Sequence, residues 1–295
     1  MSLVSSVQVG AVFPQSEIGE DPGVVRDWAQ AVEGLGYRHV LAFDHVLGAG
    51  TASRPGWRGY TSETPFHEVF VLFGFLAGLT TEVELVTGVL VLPQRQTALV
   101  AKQAAEVDVL SGGRMRLGVG VGWNAVEYEA LGEDFGNRGA RSEEQVAVLR
   151  ALWADPTVTF DGRWHRITDA GINPLPPRRR IPVWFGGSAE ATLRRVGTIG
   201  DGWLPQGPPD ERARAAVARI HEHAVAAGRA LSDVGLEPRL TLARTPRDGW
   251  AAHVTGWRDI GATHLCVDTM GSGFATVDDH VAALSEVMEA LKALD

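Results

Sequence analysis

The sequence predicts one α/β domain over residues 1–295, a single (β/α)8 TIM barrel with insertions after strand 2 and between strands 4 and 5. Three observations lead there. Short apolar runs alternate with helical stretches about eight times along the chain, the rhythm of a parallel barrel. No G-x-G-x-x-G follows the first run, which argues against a doubly wound dinucleotide-binding sheet. The richest glycine cluster, Gly118-Val119-Gly120-Val121-Gly122, falls instead at the fourth strand.

The first strand is Val7 to Phe13, stopped by Pro14. Asp21-Pro22 then opens a helix, with Asp as N-cap and Pro in the first turn, and Gly34-Leu35-Gly36 closes it. Tyr37 to Phe43 is the second strand, and the polar, glycine- and aromatic-rich segment His45 to Thr64 follows at the catalytic rim. Strand three, Leu85 to Leu92, is interrupted by Thr87 and Gly88, the mark of a bulge or of a close approach to a ligand. A helix stopped by Gly112 and Gly113 leads to strand four, Met115 to Val121. Leu152 to Arg180 is an insertion, either a lid or an elaboration, with a hairpin over Val158 to His165 around an Asp161-Gly162 turn. Ile181 to Phe185, Gly202 to Pro205, Leu236 to Leu242 and Ala262 to Val267 complete the eight.

Composition narrows the function. A net charge of −9 argues against nucleic acid as a partner, and Cys266, the lone cysteine, excludes an intrachain disulfide and a cysteine metal cluster. No run approaches the roughly 18 apolar residues that span a bilayer, so no membrane association is expected. The N-terminus lacks a basic leader and its apolar run breaks at Pro14-Gln15, so the expected location is cytoplasmic. His165, His221, His223, His253, His264 and His280 are scattered without ligand spacing, and no metal is expected. There is no G-x-S-x-G elbow.

Three places carry chemistry. Asp44-His45 ends the second strand, where a barrel points polar side chains into its active site, and His45 is the candidate catalytic residue for proton transfer. An Asp satisfying loop amides with a His bonded to it is the structural alternative. Gly118, Gly120 and Gly122 share one face of the fourth strand, which serves either close packing or a ligand lying against bare backbone. Gly186-Gly187-Ser188 leads into a helix from Ala189 to Val196, with Ser188 as N-cap; the turn reads as an anion site or a plain cap. Glu127, Glu129, Glu143 and Glu144 are expected on helix surfaces.

These pieces together resemble the luciferase-like monooxygenase superfamily, with the coenzyme F420-dependent oxidoreductases as the nearest branch. The resemblance rests on Ala42-Phe43-Asp44-His45, Thr87 to Pro93, Leu110 to Arg114, Gly118 to Asn124, Arg138 to Glu144, Phe185 to Ser188 and Gly200 to Trp203, in family order. It implies hydride transfer between a deazaflavin ring across the barrel mouth and a small-molecule substrate. By position, Gly88-Val89 would be a cis peptide backing the ring, and Asp44 would contact its polar edge or side chain. Gly186, Gly187 and Ser188 would hold the cofactor phosphate, and Thr87, Gly120, Gly122 and Trp123 would complete the binding surface. His45 would donate or accept the proton, while Trp57, Tyr60 and Trp123 would wall the substrate.

One departure matters. Glucose-6-phosphate dehydrogenases of this branch place a Glu where this chain has Trp123, which points away from sugar phosphates toward an apolar or conjugated substrate. Glu127, one turn further on, could reach inward, but a surface or structural role is the expectation. The alternatives are an FMN-dependent monooxygenase and a non-catalytic F420- or flavin-binding carrier. The family also implies a homodimer through helices near strands two and three, where Phe66, Phe70, Phe73 and Phe75 make a greasy helix after Pro65.

Overall fold

A computed structural model describes residues 7–294. Its strands are β1 (Gln8–Val12), β2 (His39–Ala42), β3 (Glu84–Thr87), β4 (Leu90–Val91), β5 (Met115–Gly120), β6 (Val158–Asp161), β7 (Arg166–Ala170), β8 (Val183–Gly186), β9 (Gly202–Leu204), β10 (Gly235–Leu236), β11 (Arg239–Thr241) and β12 (His264–Asp268). Helices α1 (Pro22–Gly34), α2 (Val69–Ala77), α3 (Thr97–Leu110), α4 (Ala125–Ala130), α5 (Arg138–Ala154), α6 (Glu190–Ile199), α7 (Glu211–Ala226), α8 (Trp250–Ile260) and α9 (Val277–Lys292) alternate with them.

The main sheet is parallel, in the order β10-β9-β8-β5-β3-β2-β1-β12-β11, with β4 also paired to β5. Two barrel strands are therefore split. β3 and β4 are halves of the third, parted by a cis Gly88-Val89 peptide. β10 and β11 are halves of the seventh, parted by Glu237 and Pro238. Across that second break, Glu237 N donates to Trp203 O at 3.0 Å and Cys266 N to Pro238 O at 3.0 Å, which closes the cylinder. All eight predicted strands are present. Asp21 caps α1 as expected, its carboxylate accepting from Gly23 N at 2.7 Å. Among the described residues no helix is long and apolar enough to cross a membrane.

A hairpin forms in the long insertion as β6 and β7, but its second arm lies beyond the expected Val158 to His165 span, because residues 162–165 make a four-residue loop rather than a tight Asp-Gly turn. Glu144 accepts from the Arg163, Trp164 and His165 amides, each at 2.8 Å, and His165 bonds Thr97 Oγ1 at 2.6 Å. These bonds fasten the hairpin to α3 and α5, so the insertion elaborates the wall. Glu144, expected on a surface, is instead 14% exposed because it is the fastener.

Inside the barrel, period-two alternation stacks side chains in three layers. The lowest is ionic: His39, Arg116 and Glu237 are all buried. His39 Nε2 lies 2.9 Å from Glu237 Oε1, Arg116 pairs with Glu237 and with Glu84, and its guanidinium stacks 4.5 Å from the Trp184 ring. Gly10, Gly202 and Gly235 make room, because a Cβ there would overlap the His39 or Trp184 ring. His39, Glu237 and Cys266 bring potential ligand atoms within 4.8 Å, and both Glu237 oxygens are already engaged, Oε1 by His39 and Oε2 by Arg116. The middle layer, Val12, Leu41, Val86 and Cys266, is apolar. Phe43 and Met270 rest on it, and with them begins the mouth.

Burial would raise the Glu237 carboxyl, but Arg116 and His39 outweigh it and hold the group far below the usual range. Burial, reinforced by the Arg116 charge, pushes His264 down to about 3. Folded His264 thus refuses a proton that the unfolded chain accepts below its ordinary value of 6.5, so stability falls as pH drops through that window. Glu237 contributes stability that is lost only below its ordinary 4.5. His253 and His280, also lowered by burial, act in the same direction as His264. Thermal melts at about pH 7.5 and about pH 5 are expected to show a smaller acid-induced drop for His264→Gln than for wild type.

Candidate active site at the barrel mouth

The glycine face of β5 is covered by the chain itself. A Cβ at Gly118 would overlap the Thr87 carbonyl, and one at Gly120 would sit 2.5 Å from Val89. One at Gly186 would lie 2.7 Å from the same valine. Val89 is therefore seated between β5 and β8, and close packing accounts for Gly118, Gly120 and Gly186. Thr87 is also spent inside the wall, donating to Gly118 O at 2.6 Å.

Above this packing lies a cavity of about 180 Å³ lined by Phe43, Asp44, His45, Tyr60, Gly88, Val89, Val91, Gly122, Trp123, Gln206 and Arg239. The structure thus brings together Asp44, His45, Tyr60, Gly88, Val89, Gly122 and Trp123 from the expected set. Thr87, Gly120, Trp57, Gly186, Gly187 and Ser188 lie outside its lining. Gly186-Gly187-Ser188 is a turn, with Gly187 at φ +113° and its carbonyl accepting from Trp203 Nε1 at 2.8 Å. Ser188 is exposed, and Ala189 is the N-cap of α6 with no side-chain bond, so the expected serine cap does not form.

Glu127 corrects the sequence expectation most. It is 1% exposed beneath the mouth, and its carboxylate receives three bonds from the residues after β2. His45 Nδ1 lies 3.1 Å from Oε2, while Val46 N and Leu47 N donate to Oε1 at 2.6 and 3.2 Å. Burial pushes this carboxyl up, but those hydrogen bonds outweigh it and keep the group below the usual range. With a carboxylate accepting at Nδ1, the neutral imidazole keeps its proton there and leaves Nε2 as the unshared ring nitrogen at the cavity wall. The available signal was position: Glu127 falls in the first turn of α4, the helix that starts just after the C-terminal end of β5 at the barrel mouth.

Aromatic rings roof the histidine. Tyr60 and Phe66 lie 4.2 and 4.9 Å from His45, and Trp123 lies 6.2 Å away. Trp57 stacks on Trp123 at 5.8 Å. The segment after β2 is held in place by Trp57 Nε1 donating to Tyr60 O at 2.9 Å and by the Ala49–Thr61 bridge. A Cβ at Gly59 would strike the Trp123 ring, so the loop lies directly on it. Phe66 belongs to this roof rather than to the greasy helix, because α2 starts at Val69 with Glu68 as its cap.

Asp44 lines the cavity, but Arg95 and the chain after the cis peptide engage its carboxylate. Arg95 donates to Oδ1 at 2.6 Å, and Val91 N donates to Oδ2 at 2.9 Å. Arg95 also binds Glu68 at 2.8 Å, so both its ends are occupied. Sequence reasoning missed Arg95, Gln206 and Arg239. For Arg239 a signal existed: it stands two residues after Glu237 in the seventh strand, so both charges fall on one face.

The model of the luciferase-like monooxygenase family matches residues 3–292. The chain belongs to that family. Among relatives, the uncharacterised protein Rv0940c of Mycobacterium tuberculosis is 39% identical over 205 residues, covering 66% of this chain and 70% of its own length. An FMNH2-dependent dimethylsulfone monooxygenase of Pseudomonas putida is 31% identical over 177 residues, covering 59% of this chain and 48% of that protein. Among solved structures, an F420-dependent secondary alcohol dehydrogenase in complex with an F420-acetone adduct superposes with a TM-score of 0.80 at 18% identity, covering 97% of this chain and 99% of that one. The last similarity is one of fold. Flavin and deazaflavin enzymes thus both stand among the neighbours of this oxidoreductase barrel.

Truncation at Glu127 strands three donors in a buried setting. Urea unfolding of Glu127→Ala is expected to show a loss of about 2–3 kcal/mol, with Glu127→Gln losing less because it keeps one carbonyl acceptor.

Proposed function

We propose that the mouth binds coenzyme F420 and supports hydride transfer between its deazaflavin ring and a small apolar or conjugated organic substrate. The observation that carries this reading is the His45–Glu127 pair facing Gly88-Val89 across one aromatic-roofed cavity. The lining suits a flat ring at two points. Gly88 and Gly122 bring backbone to the cavity, although their Cβ positions are filled by Leu41 and Val91, and Arg239 offers a cation whose donors no acceptor takes among the described residues. Val89, Gly88 and Gly122 would back the ring, and the turn at Gly186, Gly187 and Ser188 would receive its phosphate tail. When bound, the deazaflavin supplies the two-electron chemistry, and the protein supplies position and a dry pocket.

The chain's own groups do the rest. Glu127 fixes the His45 ring, so that Nε2 holds or releases a proton at the substrate's polar atom. Tyr60 and Trp123 would wall the substrate side and exclude water, with Trp57 packed behind Trp123. Where sugar-phosphate enzymes carry a carboxylate, Trp123 presents an apolar surface that suits an unsaturated or aromatic substrate. FMN is the second reading, favoured by the 31% identity to an FMNH2-dependent enzyme.

Anaerobic titration of the apo-protein, followed by ring fluorescence, is expected to show tight F420 and weak FMN binding. The reverse preference moves the chain to the oxygen-using flavin enzymes. Replacing His45 with Asn should slow reduction of an enone probe such as 2-cyclohexenone by on the order of 10²–10⁴-fold while leaving ring binding intact. Unchanged turnover would remove the proton-transfer role, and a wild type that binds the ring but turns over no substrate would be a carrier.

We also propose a homodimer through α2. This helix buries one flank, with Val69, Phe70, Leu72 and Phe73, yet leaves Val71 72% and Phe75 42% exposed beside an apolar groove with Pro22, Val25 and His67. Light scattering should give twice the 31.6 kDa chain mass, and Val71→Asp should give the single chain.

A further inference from the structure

Arg239 is the charged group in the cavity lining whose donors no protein acceptor takes up among the described residues. It stands on β11, two residues after the ionic Glu237, and so faces inward one layer higher. Its guanidinium stacks 4.6 Å from the Phe43 ring, which lies on the apolar middle layer. Anything lying across the mouth therefore rests on Phe43 and Arg239 together.

The cation is held but not spent. Only 20% of its side chain is exposed, and Asp268 Oδ2 lies 3.9 Å away, beyond hydrogen-bond reach. Among the described residues no acceptor takes a hydrogen bond from its guanidinium, whereas Arg95 across the same mouth is saturated by two carboxylates. Asp268 is a weak counter-charge, because burial raises its carboxyl and it already accepts from Met270 N at 3.0 Å. The Phe43 ring holds one side of the guanidinium, and Arg239 lines the cavity, so its unengaged donors are available to a ligand there. A guanidinium in that state pairs best with an anionic edge carrying two acceptors.

We propose that Arg239 is a charge-selective floor for the ring: it binds the oxygen- and nitrogen-bearing edge of a flat heterocycle when that edge carries negative charge. This rests on the reading that a ring occupies the mouth. The chemistry separates two probes. Oxidised FMN has a neutral ring and gains the anionic edge only on two-electron reduction. The ring of F420 is already anionic when oxidised, through its ionised ring hydroxyl.

The test is anaerobic equilibrium binding of oxidised and reduced FMN and F420 to wild type, Arg239→Gln, Arg239→Lys and Asp268→Asn. For Arg239→Gln, reduced FMN and both states of F420 should weaken by roughly 10–100-fold, the loss of a charge-assisted pair. Oxidised FMN should change by less than about threefold, below half of that effect on a logarithmic scale. Arg239→Lys should recover part of the loss, since it keeps the charge and loses the fork. Asp268→Asn should tighten the anionic rings, an opposite sign that a folding defect does not produce. Equal weakening of neutral and anionic rings, or no change in either, overturns the proposal while leaving ring binding established. A wild type that binds neither ring removes the functional reading as well.

Discussion

Val89 is the wedge on which the mouth is built. The third barrel strand breaks at Gly88-Val89, and the valine side chain that emerges is received by two positions without side chains, Gly120 on β5 and Gly186 on β8. Three neighbouring strands are thereby keyed to one residue. The chain after the wedge then runs as β4 against β5, and its Val91 amide reaches the Asp44 carboxylate. Arg95, four residues on, clamps the same carboxylate and ties in Glu68 ahead of α2. The packing of one β-branched side chain thus leads, bond by bond, to the placement of the histidine beside Asp44.

A second carboxylate completes the arrangement from the other side. Glu127 gathers the amides of Val46 and Leu47 and the ring of His45, so the first residues of the long segment after β2 are ordered by a helix that follows β5. A buried acceptor that serves backbone and side chain together makes loop position and ring orientation a single event. The aromatic roof then packs onto a segment whose entry is already fixed.

The barrel was legible because its strands are apolar and its helix ends carry caps and glycines, signals that are local in sequence. The Asp21-Pro22 cap, a hairpin near Asp161-Gly162 and all eight strands follow from such signals. Residues whose partners are distant were not legible. Glu127 looks like one more helix-surface acid until its partners, roughly eighty positions away, are known. Gly118, Gly120 and Gly186 read equally as ligand-facing or packed, because absence of a side chain does not say what fills the space. Ser188 has the composition of a cap, but the helix begins one residue later than its pattern suggests. Arg239 needed the stacking order of the barrel interior, which a single sequence does not display.

The apolar middle layer has a consequence for traffic. Val12, Leu41, Val86 and Cys266 are at most 1% exposed and carry no hydrogen-bonding chain between the ionic floor and the mouth. Apart from the weakly polar Cys266 thiol, the side chains of this layer offer water no partner, and a single thiol makes no continuous proton relay. The barrel is a blind well. On the proposed function, any proton that His45 exchanges would have to come and go through the same opening as the ring and the substrate. When a ligand stoppers that opening the proton inventory of the well is sealed, and each turnover has to balance its proton account with bulk solvent before closure or after release.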